Sequence, residues 1–351
     1  MKKRIKLIGL LGAAFLAVSG GLTFYMQASH ADQIAAQQCT GRDLVAQLET
    51  ANPEILAGIR KTAETVPNGQ GVLWRIEKEG VADSFVFGTM HMSDPRLLDL
   101  DPAVKDAFAQ SQLLALELTD VLDPAKMKEK AGSFVQYTAY TDGSDITSRL
   151  DAEQLEATKA VFTERSSIPW FLAKRLKPWA LMGAMAAPAC ETARKAAGKP
   201  FLDQMLAQMA EQRSMPMVSL ETIESQITAM AGLPEPVMIR ALVETARLAD
   251  QIDDIFETMI ALYDKGDIAT VWAMMKHVGP DGLQAQSSGL KYADFQRDIV
   301  ERRNEGMVEA ALPLIDKGGA FIAIGALHLP GETGMVSLLE QKGYRVSPIG
   351  S

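Results

Sequence analysis

The hydrophobic positions of this chain follow two patterns, and each pattern occupies a different part of the sequence. Short apolar runs rich in β-branched and aromatic residues predict strands at residues 72–89, 113–118 and 320–328. Between about residues 123 and 317, apolar positions recur every three or four residues and predict helices, with a buried strand interrupting them at residues 215–222. We therefore expect an α/β or α+β fold in which a large helical block is inserted among the strands.

Turn and capping residues predict where several of these elements begin and end. The run over residues 72–89 predicts a β-hairpin that turns around Glu79 and Gly80. Asp101 followed by Pro102 predicts the N-cap and the first residue of a helix. The final segment, residues 320–350, predicts a strand, a helix and a terminal strand after a glycine stop, which together form a compact β-α-β unit.

Four of the predicted strands are followed closely by a side chain that can bind a metal or move a proton: His91, Glu117, Glu221 and His328. Both histidines stand three residues after a glycine, which lets the backbone turn off the strand and approach a ligand without a Cβ in the way. If the strands are parallel, their carboxyl ends line a single crevice. Two imidazoles and one or two carboxylates there match the ligands of a divalent transition metal whose bound water attacks an ester or amide carbonyl.

Each candidate also has an ordinary structural interpretation. A histidine after a strand is commonly a hydrogen-bonded structural residue, and His277 stands where an imidazole caps the end of a helix. Glu117 lies inside an apolar run, so its carboxylate needs a buried partner. Glu221 either acts as a general base or caps the following helix. Arg303 either points into the crevice to hold a substrate carboxylate or a developing oxyanion, or lies on a solvated helix face.

Residues 1–31 predict an export signal. A basic start is followed by an uncharged, mostly apolar stretch to about Met26, and small residues at 29 and 31 precede the expected cleavage site. The apolar stretch is long enough to span a membrane, so an uncleaved anchor is the alternative. In both cases we expect the body of the protein outside the cytoplasm, in the periplasm or secreted, and associated with the cell envelope.

The net charge of the chain limits its possible partners, and its cysteines bear on the redox state of its compartment. Taking the four basic residues of the predicted signal from the 35 of the chain leaves 31 against 44 acidic residues, a net charge of −13. This charge, with no basic stripe, argues against a nucleic-acid partner. The two cysteines, Cys39 and Cys190, are expected to pair in an oxidising compartment, with two free buried thiols as the alternative.

The segments GTMHMSDPR, LALEL, VSLETIESQ, ERRN and AIGALHLPGETG together resemble the TraB/GumN family, which is related to the Tiki metalloproteases. The resemblance runs over residues 39–349 and is most specific at the paired G-x-x-H motifs. It implies one domain with a mixed, largely parallel β-sheet flanked by helices, similar to the erythromycin-esterase and ChaN-like folds. The segment FLDQML departs from many relatives, which carry a glycine before the leucine and aspartate, and this leaves the role of Asp203 open.

The resemblance also implies functional residues, because two G-x-x-H histidines and a glutamate are essential in Tiki proteins. Our first hypothesis is therefore an exported, peptidase-like hydrolase of peptides or small molecules, in which His91, Glu117 and His328 hold manganese, cobalt or zinc. Glu221 or Arg303 then assists the carbonyl chemistry.

The second hypothesis is a non-catalytic envelope protein, or a polysaccharide-related accessory protein, that holds a metal, haem or glycan in the same crevice. The third is a metal-free esterase with one of the histidines as base.

Overall fold

The computed structural model describes residues 39–120, 124–278 and 297–350. The predicted export signal, residues 1–31, lies outside these ranges. The strands of the described residues are β1 Leu73–Glu77, β2 Ser84–Thr89, β3 Leu113–Leu116, β4 Met217–Ser219, β5 Ala320–Gly325 and β6 Arg345–Pro348. They form one six-stranded sheet in the order β4-β3-β5-β2-β1-β6. The first four strands of this order are parallel, whereas β1 is antiparallel to both β2 and β6. The predicted mixed, largely parallel sheet is therefore confirmed.

Helices surround this sheet, and most of them belong to the segment between β3 and β5. In the described residues the α-helices are α1 Leu44–Ala51, α2 Pro53–Ala63, α3 Pro95–Leu98, α4 Pro102–Gln110, α5 Pro124–Thr138, α6 Ala152–Arg165, α7 Trp170–Ala173, α8 Pro178–Met185, α9 Ala189–Ala196, α10 Leu202–Gln212, α11 Ile223–Ala231, α12 Glu235–Arg247, α13 Ile252–Asp264, α14 Ile268–Val278, α15 Arg302–Ile315 and α16 Met335–Gln341. A π-helical turn, Arg297–Glu301, leads into α15, and a 3-10 turn, Ala326–His328, follows β5.

Alternation along the strands divides the core into two layers. In β5, Phe321 and Ala323 pack into the larger hydrophobic cluster on one face of the sheet, together with helices of the long insertion. Ile322 and Ile324 pack into a smaller cluster on the other face, against α15 and α16. Because β5 is buried on both faces, its sequence is continuously apolar, as expected for an internal parallel strand.

Two local predictions are confirmed. The hairpin over residues 72–89 is the antiparallel pair of β1 and β2, and Gly80 has φ 75° in the turn between them. Asp101 caps α4 by accepting a hydrogen bond from the backbone N–H of Ala103, and Pro102 is the first helical residue. These signals are local in sequence, so distant contacts do not override them.

Two predictions about the edges of the sheet were wrong in part. The buried strand expected at residues 215–222 is the short β4, whose residues are partly exposed because β4 has a neighbour on one side, β3. The terminal β-α-β unit is present, but β6 does not pair with β5. The two positions beside β5 are occupied by β3 and β2, so the chain passes β2 and β1, and β6 pairs with β1 at the edge of the sheet.

The predicted disulfide is present and joins Cys39 to Cys190 across 151 residues, with 5.4 Å between the two Cα atoms. It fastens the start of the described chain to α9, in the helical insertion. The described residues include no helix that combines the length and the apolar character needed to cross a bilayer.

Candidate functional site

The carboxyl ends of neighbouring parallel strands bring the predicted site residues together. Thr89, at the end of β2, lies opposite Gly325, at the end of β5, and β3 ends on the other side of β5. The residues that follow these strands, His91, Glu117 and His328, line one open cavity with about 990 Å³ of empty space including its mouth. The crevice predicted from the strand ends is therefore present at the edge of the sheet expected for such folds.

The two glycines of the G-x-x-H motifs allow the backbone to pack closely at this edge. A Cβ at Gly88 would lie 2.6 Å from Cδ1 of Leu329 and 2.9 Å from the Cα of Ala326, so the second motif could not pack on the first. A Cβ at Gly325 would lie 3.1 Å from Oε1 of Glu117 and 3.5 Å from Cδ2 of His328. Glycine therefore keeps open the space beside these two side chains.

The His91 ring is held by a carboxylate that comes from the helical insertion. Nδ1 of His91 lies 2.8 Å from Oδ2 of Asp203, in the first turn of α10. The hydroxyl of Thr89 donates to the other carboxylate oxygen of Asp203 over 2.9 Å, which fixes the carboxylate. Burial alone would lower the pKa of His91, but the charge and the hydrogen bond of Asp203 outweigh burial and raise this pKa. The ring edge also contacts Phe201, with 5.6 Å between ring centroids.

The His328 ring is held by a neutral amide from α15. Nδ2 of Asn304 donates to the backbone carbonyl of Thr333 over 2.8 Å, so Oδ1 of Asn304 faces Nδ1 of His328 at 2.5 Å and accepts its hydrogen. Burial lowers the pKa of His328 to about 3, and the charge of Arg303 acts in the same direction. His328 is therefore a neutral imidazole at neutral pH.

Both histidines therefore share one hydrogen-bonding arrangement. In each neutral ring, Nδ1 carries the hydrogen that Asp203 or Asn304 accepts, and Nε2 keeps its lone pair. A metal-binding histidine in proteins commonly donates its second ring nitrogen in this way, which fixes the tautomer and the ring orientation. The arrangement prepares both rings to bind an electron-pair acceptor through Nε2.

Glu117 is ionised and held by three donors. Arg303 donates to Oε2 over 2.7 Å and the side-chain amide of Gln226 donates to the same oxygen over 3.1 Å. The backbone N–H of Gly325 donates to Oε1 over 2.6 Å. Burial would raise the pKa of Glu117, but the charge of Arg303 holds this pKa well below its usual range. Glu117 therefore supplies a fixed negative charge next to His328, and its need for a buried partner is met.

Arg303 binds both Glu221 and Glu117 and so holds the Glu117 carboxylate in position. The guanidinium of Arg303 donates from Nε to Oε2 of Glu221 over 3.1 Å, and it also bridges to Oε1 of Glu221. Gln226 donates to the same Oε1 over 2.8 Å. Arg303 lines the cavity, whereas Glu221 is not among the lining residues and reaches the site through Arg303. The catalytic roles predicted for these two residues stay predictions, because the contacts observed are those of groups that position Glu117.

His328 and Glu117 lie close enough together to bind one metal ion. Nε2 of His328 lies 3.9 Å from Oε1 of Glu117. Metal–nitrogen and metal–oxygen bonds of about 2.0–2.2 Å allow one ion to reach both atoms at this distance. Within the described residues, however, no three His, Cys, Asp or Glu side chains are grouped closely enough to hold an ion as they stand. The donor atoms fit a divalent transition metal, but a three-ligand centre requires His91 to approach the other two side chains.

The sequence alone does not indicate that Asp203 and Asn304 orient the two histidines. The segment FLDQML distinguishes Asp203, and Asn304 stands beside Arg303, but neither feature indicates a histidine partner. His277 belongs to the last turn of α14, and its side chain lies outside the described part of the structure.

Comparison of the chain with protein-family models identifies its family. The model of the TraB/PrgY/gumN family matches residues 72–348. The chain belongs to this family. The match begins just before β1 and ends with β6, so the six strands found in the described residues and both G-x-x-H motifs lie within it.

Curated relatives of this TraB/PrgY/gumN protein are named as metalloproteases. Metalloprotease TIKI1 of Homo sapiens is 25% identical over 314 residues, covering 78% of this chain and 61% of the relative. Metalloprotease TIKI1 of Danio rerio is 23% identical, covering 78% and 62%, and the Metalloprotease TIKI homolog of Nematostella vectensis is 22% identical, covering 82% and 69%. The chain thus spans about three fifths of the length of the first two relatives. No solved structure matches the chain significantly.

Proposed function

We propose that this protein is an exported metal-dependent hydrolase that cleaves peptides, with a divalent transition metal held by His91, Glu117 and His328. The observation that carries the proposal is the pairing of both Nδ1 atoms, one with Asp203 and the other with Asn304, which leaves Nε2 of each neutral ring for an ion. Nε2 of His328 lies 3.9 Å from Oε1 of Glu117. The names of the curated relatives support peptides as the substrate. Manganese, cobalt and zinc are the candidate ions.

The residues of the chain would prepare the site for that ion. His328 is neutral, so no proton competes for its Nε2 at neutral pH. Asp203 and Asn304 orient the two rings, and Arg303, held by Glu221, keeps Glu117 ionised and fixed. Glu221 and Arg303 enter the proposal as positioning residues. When bound, the ion would acidify a water molecule and polarise a carbonyl oxygen.

Export is proposed from two features of the chain. Residues 1–31 have the basic start and the apolar stretch of a signal segment. The Cys39–Cys190 disulfide suits an oxidising compartment, because intracellular thiols are usually kept reduced. We propose a periplasmic or secreted location, which N-terminal sequencing of the protein recovered from the periplasmic fraction and from the medium would test.

Metal analysis and peptide cleavage together test the proposed activity. The mature protein is purified, its metals are measured by mass spectrometry, and a peptide library is digested with manganese, cobalt, zinc or a chelator. We expect about one ion per chain, and cleavage that His91→Ala, His328→Ala and Glu117→Gln abolish. Glu49→Gln, at a half-exposed surface glutamate, is the matched control and should retain activity.

The same experiment separates the competing hypotheses. Metal, haem or glycan bound without turnover of any peptide or ester would support the envelope-binding protein instead. Turnover that survives complete chelation would support the metal-free esterase. Either result would overturn the proposed function.

A further inference from the structure

The cavity at the metal-ligand candidates is walled mainly by apolar side chains. Beyond the charged groups, its lining residues include Met90, Met92, Met230, Phe256, Met259 and Val271. They come from the loop after β2 and from helices α11, α13 and α14, which lie on the face of the sheet that carries the long insertion. The site is thus a mainly apolar chamber, with Glu117 and the two histidines after the strand ends and Arg303 bound to Glu117.

One helix supplies a continuous wall of this chamber. Phe256, Met259 and Tyr263 of α13 follow one another at spacings of three and four residues and therefore lie on one face of the helix. The hydroxyl of Tyr263 donates to the backbone carbonyl of Gly88 over 2.6 Å. Because its polar atom is used in this way, Tyr263 contributes its ring to the wall and also ties the wall to the first G-x-x-H motif.

The described lining leaves no counter-ion for a charged substrate side chain in this chamber. Apart from the Tyr263 hydroxyl, its charged or titratable groups are His91, Glu117 and His328, which follow the strands, and Arg303 of α15. Three of them are the proposed metal ligands, and the guanidinium of Arg303 is already paired with Glu117 and Glu221. A lysine or aspartate side chain entering here would lose its hydration without gaining an ion pair.

We propose that this chamber is the specificity subsite of the enzyme and takes one large, uncharged apolar side chain of a peptide substrate, such as leucine, methionine or phenylalanine. The inference rests on the proposed function, because it places the cleaved peptide bond at His91, Glu117 and His328. Four of the wall residues are methionines, whose flexible thioether side chains adapt to different apolar shapes. The subsite therefore selects for size and against charge.

A peptide series measures the selectivity directly. Each position around the bond cleaved in the library is varied in turn through Leu, Met, Phe, Ala, Lys and Asp, and kcat/KM is measured with the metal-loaded protein. At one position we expect Leu, Met and Phe to exceed Ala by at least about tenfold, since one methylene in an apolar pocket is worth about tenfold or more. Lys and Asp at that position should be cleaved more slowly than Ala. Cleavage that is fastest with a charged residue, or equal at every position, overturns the inference while the proposed function stands.

Two cavity variants and a control link the selectivity to the chamber. Met259→Ala enlarges the chamber and should raise the kcat/KM ratio of Phe over Leu peptides severalfold, whereas Val271→Phe narrows it and should raise the ratio of Ala over Phe peptides. Met238→Ala is the control, because Met238 is equally buried but does not line the cavity, and its ratios should match those of the wild type. A ratio of kcat/KM values does not depend on the fraction of folded protein. Ratios unchanged in both cavity variants overturn the inference.

A binding readout distinguishes failure of the subsite from failure of the hydrolase. Protein labelled with ¹³C at the methionine methyl groups is titrated, without metal, with N-acetyl-leucine amide and with N-acetyl-lysine amide. We expect the methyl signals of Met230 and Met259 to shift with the leucine compound and not with the lysine compound, even in a protein that cleaves no peptide. Absence of shifts with the leucine compound overturns the subsite, whereas shifts without cleavage of any peptide refute only the proposed function.

Discussion

Replacing Arg303 by methionine removes the cation that holds two buried carboxylates. The side chains of Glu117, Glu221 and Arg303 are 7%, 8% and 16% exposed, so water screens their charges little. Arg303 donates to both carboxylates, and its pKa is raised by them although burial opposes the positive charge. The variant would leave Glu117 and Glu221 facing each other in the protein interior without a counter-ion.

The expected loss of stability follows from leaving the two carboxylates without Arg303 as counter-ion. An ion pair at about 4 Å is worth about 4 kcal/mol at an effective dielectric constant of about 20. Breaking a buried pair by removing one partner costs about 3–5 kcal/mol, because the remaining charge is uncompensated. We therefore expect Arg303→Met to lower the free energy of unfolding by about 4 kcal/mol at neutral pH. Adding Glu117→Gln and Glu221→Gln should recover more than half of this loss, because neutral amides need no counter-ion.

The stability lost in Arg303→Met should also depend on pH. In the wild type the pKa of Glu117 is lowered by folding, so its stabilisation is present above the unfolded pKa of about 4.3 and is lost as the pH falls further. In Arg303→Met, burial without the cation raises the pKa of Glu117 in the folded protein, so acidification relieves the unpaired charge. The difference in the free energy of unfolding between the wild type and Arg303→Met is therefore largest above about pH 5 and decreases toward pH 3.

Urea denaturation of chelator-treated protein at several pH values measures these effects without a contribution from bound metal. Arg60→Met is the matched control, because the Arg60–Glu49 pair is more than half exposed and such pairs contribute less than about 1 kcal/mol. A loss of stability in Arg303→Met as small as that in Arg60→Met, or no recovery from the two glutamine substitutions, would show that Arg303 is not the counter-ion of the two carboxylates.

Three further predictions test the surroundings of the site. Asp203→Ala should weaken metal binding about 10–100-fold in a calorimetric titration, and Asp203→Asn, which can still accept from His91, should weaken it less; equal affinities would contradict the positioning role. Long-range ¹H–¹⁵N spectra of the metal-free protein at pH 8 should show His91 and His328 protonated at Nδ1, and dominant Nε2–H signals would disprove the assigned tautomers. Replacing Cys39 and Cys190 by serine should lower the free energy of unfolding in urea by up to about 5 kcal/mol, because the disulfide closes 151 residues, whereas unchanged stability would contradict this.

The parts of the site that are local in sequence could be predicted. The apolar runs before His91 and His328 indicate strands, and Gly88 and Gly325 mark where each strand ends. Parallel strands gather their carboxyl ends at one edge, so a common crevice follows from pattern alone. The long helical insertion is equally visible, because helical periodicity needs no distant partner.

The partners of these residues could not be predicted, because they come from distant segments. Asp203 lies 112 residues from His91, and Arg303 lies 186 residues from Glu117. Charge alone indicates that Arg303 needs an anion, but packing decides whether that anion is a substrate or a glutamate of the same chain. The position of β6 at the edge of the sheet has a similar origin, since β3 and β2 occupy both places beside β5 that a simple β-α-β unit would use.

In the proposed site, His91 and His328 bind one ion through Nε2, together with Glu117. X-ray absorption spectroscopy of the cobalt-loaded mature protein counts the imidazole ligands of this ion. We expect two imidazoles in the wild type and one in each of His91→Ala and His328→Ala. One imidazole or none in the wild type, or the same number in all three proteins, would contradict the proposed site.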